Sequence, residues 1–148
     1  MKNLILVLFL LTHSIIFSQV VTVNVSEIGI FSDIGNKNYR IVLSNPKFKD
    51  TELVTSTYIL DFNELTVTFF TNGNKSIKGI DNLTKISPSE YLIKLNDNAD
   101  DGSGRTVPVT IILNTTSKNN NLIVTWYNVD GDYTVVQTSL NSHLFIVK

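Results

Sequence analysis

The strongest constraint on the fold is the shortage of good helix formers in a chain rich in β-branched residues. Ala99 is the only alanine, while threonine, valine and isoleucine occur throughout the sequence. β-Branched side chains favour strands over helices, because they are stiff and pack well on a pleated surface. Residues 65–70 and 106–113 also show the two-residue alternation of half-buried strands. The sequence therefore predicts an all-β protein.

Turn signals divide the chain into short predicted strands. Asn72-Gly73 and Asp130-Gly131 accept the positive φ angles of a type I′ turn, so we expect each pair to close a tight hairpin. Pro108 cannot donate to a ladder, so we expect it on an edge strand or at a bulge. The predicted strands are 20–25, 28–32, 39–44, 53–61, 64–71, 75–80, 90–96, 105–114, 121–129, 133–139 and 143–147.

Strands at this spacing, without helices between them, favour one antiparallel meander domain. Such a meander either closes as an up-and-down β-barrel or folds as a β-sandwich. The order of successive hairpins between Tyr58 and Val136 favours the up-and-down arrangement. In strand number and size the chain resembles lipocalin-like barrels.

The N-terminus has the pattern of a secretory signal peptide. Lys2 supplies a positive charge, residues 4–11 are an unbroken apolar run, and the small residue Ser18 precedes Gln19. The run is shorter than the roughly 20 residues that a transmembrane helix needs. We therefore predict a signal peptide at 1–18, followed by a single secreted or periplasmic all-β domain at 19–148 with no transmembrane segment.

Charge and cysteine content exclude several classes of protein. The formal net charge is −1, and the only arginines are Arg40 and Arg105 among scattered lysines. A surface that follows phosphates needs clustered basic side chains, so we predict no nucleic-acid partner. The chain has no cysteine, which excludes disulfides and thiolate zinc sites. Packing and hydrogen bonds must therefore hold the domain together.

One acidic loop is a candidate cation site. Residues 96–104 concentrate the oxygen ligands that calcium prefers, with Asp97, Asp100 and Asp101 as the candidate ligands. The loop departs from the EF-hand pattern, because Pro108 occupies the position of the bidentate glutamate. A solvated hairpin tip would have the same composition. We predict no cofactor, with calcium at this loop as the one alternative.

No sequence motif indicates catalysis. His143 is the only histidine outside the predicted signal peptide, and Ser139 or Ser142 could be combined with it only if the fold supplied the geometry of a triad. No G-x-S-x-G motif accompanies these residues. The glutamates, which could support hydrolysis as carboxylate pairs, stand at positions typical of solvated strand ends. They are Glu27, Glu52, Glu64 and Glu90.

Aromatic residues are the best candidates for a binding surface. Trp126 shares its alternation with Leu122 and Val124, so we expect it to face the core. In a barrel, several aromatic side chains would line a cavity with apolar walls and polar tips, whereas in a sandwich they would fill the core or lie on the surface. The candidate ligand-binding residues are Tyr58, Tyr91, Trp126, Tyr127 and Tyr133.

The functional hypothesis is a secreted or periplasmic, non-enzymatic β-domain that binds a small apolar ligand, a glycan or another protein. A rigid β scaffold that presents polar loops is a common solution for binding. Two alternatives remain from the sequence. The first is a small carboxylate-based hydrolase, and the second is a structural or adhesive surface module that pairs through exposed strand edges.

Overall fold

The computed structural model describes residues 19–32, 50–98, 104–119, 121–127 and 133–147. All of the regular structure in these residues is β-strand, which confirms the all-β prediction. The strands are β1 (Val20–Ser32), β2 (Asp50–Asp61), β3 (Thr66–Thr71), β4 (Asn74–Gly79), β5 (Asn82–Ser87), β6 (Glu90–Asn98), β7 (Thr106–Asn114), β8 (Leu122–Tyr127) and β9 (Tyr133–Val147).

The nine strands form one antiparallel sheet in the order β4-β3-β2-β1-β9-β8-β7-β6-β5. Strand β1 pairs with both β2 and β9, so the first and last strands lie side by side in the middle of the sheet. The sheet curls into a half-barrel, which confirms the predicted meander in its barrel-like form. No helix in the described part of the chain is long and apolar enough to cross a membrane.

The two edges of the sheet meet at Ile80 and Asp81. Strands β4 and β5 are the two edge strands, yet only these two residues separate them. The amide of Ile80 donates to the carbonyl of Leu65 at 2.7 Å, and the amide of Asp81 donates to the carbonyl of Lys94 at 2.8 Å. The chain thereby passes from pairing with β3 to pairing with β6. Between the described strands β4 and β6 there is no ladder, so the sheet is open on that side.

Irregular positions explain where strand prediction failed. Strand β1 runs through the predicted break at 26–27 with a register shift between Val25 and Glu27. Strand β9 likewise joins two predicted strands, 133–139 and 143–147. A β-bulge adds a residue without ending the strand, so polar residues at a bulge resemble a turn in sequence.

Strand β5 was not predicted, because most of its side chains are exposed and the two-residue alternation is weak. Pro108 was predicted on an edge or at a bulge, and this was wrong. It lies in β7, an interior strand, opposite Asn96 of β6 in regular register. The β7–β8 pairing starts only at Val109, so Pro108 lies just outside that ladder. The predicted strand 39–44, the Asp130-Gly131 hairpin and the signal peptide fall outside the described residues.

The concave face of the half-barrel carries the main apolar core. Alternate residues of each strand point inward. Most of the buried inward side chains are aliphatic. Among those with no exposure are Val21, Val23, Leu60, Val67, Ile93, Ile111 and Leu113. Strand β8 is buried along four successive residues, so both of its faces are covered, as its apolar sequence predicts for a central strand.

A cluster of buried hydroxyl and amide groups lies at the end of the half-barrel where β7 connects to β8. We call this end, which is opposite the β3–β4 turn, the closed end. Asn121 donates from Nδ2 to the carbonyls of Asn114 and Ser117, at 3.0 and 2.6 Å. Its Oδ1 lies 2.7 Å from Ser142 Oγ. The amide of Leu122 donates to Ser139 Oγ at 3.0 Å. Each polar group is therefore satisfied, as burial requires.

Candidate functional site

An open pocket of about 370 Å³ occupies the end of the half-barrel at which β3 turns into β4. Its walls come from the inward-facing residues of seven strands, from β1 to β4 and from β6, β8 and β9. The pairing register brings these residues together. Ile28 of β1 lies opposite Glu52 of β2, and Ile30 lies opposite Gln137 of β9. The pocket is therefore a product of the whole sheet and not of one loop.

The floor of the pocket is aromatic. Tyr58 of β2 lies opposite Phe69 of β3, and their rings make an edge-to-face contact with centroids 5.4 Å apart and planes at 74°. This geometry is favoured because the positive edge of one ring meets the negative face of the other. Trp126 of β8 lines the pocket together with the aliphatic residues Ile28 and Val54.

The Tyr58 hydroxyl is a neutral hydrogen-bonding group at this floor. Tyr58 is only 7% exposed, and it lines the pocket. Burial raises the pKa of its phenol to about 12, because desolvation disfavours the phenolate. The phenol therefore stays protonated at physiological pH, and it can both donate a hydrogen bond and accept one.

The rim of the pocket is polar. Ser56 Oγ donates to Thr71 Oγ1 at 3.4 Å, which places two hydroxyl groups side by side on β2 and β3. The side-chain amides of Asn72, Asn74 and Gln137 also line the rim. Amide and hydroxyl groups each carry donors and acceptors, so this rim can bind ligand groups of either kind.

The β3–β4 turn places two of these amides. Asn72 and Gly73 have φ angles of 51° and 83°, and the residues on either side of them, Thr71 and Asn74, are paired. Two successive positive φ angles in a two-residue loop define a type I′ turn. The prediction of a tight hairpin at Asn72-Gly73 is therefore confirmed. The turn lies at the mouth of the pocket.

Two lysines define the charge around the pocket. Lys78 Nζ lies 2.5 Å from Asp97 Oδ1, and Asp97 lines the pocket wall. Lys75 also borders the pocket, and its ammonium lies 5.6 Å from the centroid of the Phe70 ring. The acidic residue Glu52 completes the charged set at the rim.

Of the three predicted cation ligands, only Asp97 lies among the described residues. Asp97 is paired with Lys78, while Asp100 and Asp101 lie outside the described residues. Within the described ranges no group of three or more histidine, cysteine or acidic side chains could hold a metal ion. Calcium at residues 96–104 stays a prediction.

The predicted ligand-binding residues lie in different places. Tyr58 and Trp126 line the pocket together. Tyr91 is buried in the closed half of the barrel against Phe62, with ring centroids 5.2 Å apart. Tyr127 follows Trp126 in β8, so it faces the opposite side of the sheet. The side chain of Tyr133 lies outside the described residues.

Several pocket residues were not predicted. Phe69 shares its alternation with Val67 in a correctly predicted strand, so its inward direction could have been inferred. Gln137, Asn72 and Asn74 gave no such signal, because a polar residue at a pocket rim looks like any solvated polar residue in sequence.

The serine and histidine residues near the C-terminus do not form a catalytic arrangement. Ser142 is 2% exposed, and its Oγ lies 2.7 Å from Asn121 Oδ1. His143 is exposed and follows Ser142 along β9, so its side chain lies on the opposite face of the sheet. The Ser142 hydroxyl therefore serves the polar cluster of the closed end.

Comparison with protein-family models, curated proteins and solved structures found no match to this chain.

Proposed function

We propose that this protein is a non-enzymatic binding protein that holds a small molecule in the open end of the half-barrel. The observation that carries the proposal is the convergence of Tyr58, Phe69 and Trp126 beneath a polar rim, on which most of the side chains are neutral. Ligand sites combine a concave apolar surface with a few polar groups that fix orientation, and about 370 Å³ lies within their usual range. The predicted signal peptide supports a secreted or periplasmic setting.

The hydrolase alternative has weaker support. Glu52 and Asp97 both line the pocket, and two carboxylates are the minimum for glycoside hydrolysis. A general acid needs a buried, apolar environment that keeps it protonated. Glu52 is exposed, and Asp97 is paired with Lys78, so neither carboxylate has that environment.

The adhesive alternative is also less favoured. Strands β4 and β5 are the free edges, but each has only six residues. They carry Lys75, Lys78 and Lys85. Short edge strands with lysines are features that discourage pairing with other chains.

Trp126 provides a direct test, because it is the only tryptophan of the chain and it lines the pocket. Its single indole N–H signal can be followed by NMR while a fragment library of phenols, cyclohexanols and monosaccharides is added. We expect binding fragments to shift the indole signal together with the backbone signals of Tyr58 and Phe69.

Two variants of β4 supply the matched control. Ser76 lies opposite Phe69 and lines the pocket, so Ser76→Phe should fill the mouth and abolish these shifts. Ile77 is on the other face of the same strand and is 56% exposed, so Ile77→Phe should leave them unchanged. If no fragment shifts the indole signal, or if Ser76→Phe binds as the native chain does, the proposal is wrong.

A further inference from the structure

We infer that the ligand of this pocket is a short, neutral saccharide of one or two rings, and not a lipid-like alkyl chain. The inference rests on the proposed function and adds the chemical class of the ligand. Three properties of the pocket support it: limited depth, an aromatic floor, and a rim on which most of the hydrogen-bonding side chains are neutral.

Depth excludes a long apolar chain. Below the Tyr58–Phe69 contact the interior is filled by side chains with no exposure, including Leu60, Val67 and Ile111. Protein interiors are close-packed, so an alkyl chain could enter this half only by displacing core side chains. The space that remains is the open pocket of about 370 Å³. It suits a short, wide ligand.

The floor matches the apolar face of a sugar ring. A pyranose presents C–H groups on its ring faces and hydroxyl groups around its edge. The negative face of an aromatic ring attracts such weakly positive C–H groups, and it also removes apolar surface from water. Phe69 and Trp126 are both partly buried, and both line the pocket.

The rim matches the hydroxyl groups of a sugar. Each sugar hydroxyl donates one hydrogen bond and accepts others, so a saccharide is best bound by groups that also do both. Ser56, Thr71, Asn74 and Gln137 are such groups, and all of them line the pocket. The neutral phenol of Tyr58 adds one more at the floor. A purely apolar ligand would offer these groups no hydrogen bond in exchange for the water that it displaces, which is costly.

Charge argues against an anionic ligand such as a fatty acid or a phosphate ester. Lys78 is ion-paired with Asp97, and the Lys75 ammonium lies over the Phe70 ring. Glu52 adds a negative charge to the rim. A carboxylate or a phosphate in the pocket would therefore meet the like charge of Glu52, while the Lys78 ammonium is already paired with Asp97.

The test compares neutral disaccharides with an alkyl ligand on the full mature chain. Maltose, cellobiose, lactose and N,N′-diacetylchitobiose are titrated separately while Trp126 fluorescence and the indole N–H signal are recorded. Laurate is titrated in the same way. We expect saturable binding of at least one disaccharide, a shift of the Trp126 signals and no saturable binding of laurate.

Two variants test the rim. Gln137→Leu replaces the side-chain amide with an apolar group that is one heavy atom smaller, and Thr71→Val removes the hydroxyl while it keeps the side-chain size. Each should weaken disaccharide binding by about three- to tenfold, the usual value of one hydrogen bond. Thr68→Val is the control, since Thr68 precedes Phe69 in β3 and faces the other side of the sheet. It should bind the disaccharide as the native chain does.

The outcomes separate this inference from the proposed function. Saturable binding of laurate at Trp126 without any disaccharide binding overturns the saccharide inference and leaves the proposed pocket function standing. Failure of every probe here, together with failure of the fragment library, overturns both. Disaccharide binding that is equal in Gln137→Leu, Thr71→Val and the native chain places the sugar elsewhere and overturns the inference.

Discussion

The ammonium of Lys78 lies 2.5 Å from the carboxylate of Asp97 and joins β4 to β6 where the two described strands share no backbone ladder. Lys78 is opposite the fully buried Val67, so it points toward the concave face of the sheet. The two side chains are 21% and 32% exposed. Beside the pocket, this ion pair therefore connects the edge strand β4 to β6, the neighbour of the other edge strand, β5.

A double-mutant cycle should show a modest coupling between these residues. Lys78→Met, Asp97→Asn and the double variant can be compared with the native chain by urea denaturation. Partial burial places the expected coupling free energy at about 1 kcal/mol, near the upper end for solvent-accessible pairs. The coupling should decrease at high salt because ions screen the attraction. A coupling of zero at low salt would show that the contact does not stabilise the fold.

Two glycines should respond differently to alanine. Gly73 has a φ of 83°, which an alanine adopts only with strain, whereas Gly79 has no heavy atom within 4 Å of the position a Cβ would take. Gly73→Ala should lower the free energy of unfolding by about 1–2 kcal/mol. Gly79→Ala should change it by no more than about 0.5 kcal/mol. Thermal or urea denaturation of both variants measures this, and equal losses would contradict the assignment of a type I′ turn.

The polar cluster of the closed end should be sensitive to loss of one hydroxyl. Ser142 is buried, and its Oγ contacts both Asn121 Oδ1 and the carbonyl oxygen of Asn119. Ser142→Ala removes the donor from Asn121 Oδ1, while the Asn119 carbonyl still accepts from Ser139 Oγ at 3.1 Å, so we expect a loss of about 1–3 kcal/mol in unfolding free energy. Thr55→Ala, at an exposed position of β2, is the control and should lie within about 0.5 kcal/mol of the native value. A Ser142→Ala variant as stable as that control would show that water replaces the hydroxyl.

The parts of the fold that could be predicted are those in which alternation is strong. The inward residues Val67 and Phe69, and Val109 and Ile111, follow a clear period of two, so β3 and β7 were found close to their true bounds. Strand β5 was missed, because an edge strand with little burial needs no alternation. Bulges also escaped prediction, since a register shift depends on the partner strand and not on the local sequence.

The pocket could be predicted only in part, for a similar reason. Tyr58 and Trp126 could be predicted as binding residues from their residue type alone, because large aromatic residues are frequent in binding sites. The positions of Glu52 and Gln137 relative to each other depend on two registers across β1, which pairs with β2 and β9. These pairings connect residues that are distant in sequence. No local pattern encodes them, so the rim becomes visible only in the folded chain.

Tyr58 should make the stability of the fold depend on alkaline pH. Its pKa is about 12 in the folded chain and 10 in the unfolded chain, because burial disfavours the phenolate. Below pH 10 the free energy of unfolding keeps its full value with respect to Tyr58, because both the folded and the unfolded chain hold the phenol proton. As the pH rises from 10 to 12 the unfolded chain loses its proton first, so unfolding becomes more favourable, by up to about 3 kcal/mol.

Tyr58→Phe removes this ionisation while it keeps the edge-to-face contact with Phe69. Urea denaturation at intervals between pH 8 and pH 12 should therefore show the native chain losing stability more steeply than the variant above about pH 10. The two chains differ only in the Tyr58 hydroxyl, so the difference between the two curves isolates it. Circular dichroism at neutral pH checks that the variant is folded. If the two curves stay parallel across this range, the hydroxyl is solvated and the floor of the pocket is wetter than the buried position of Tyr58 implies.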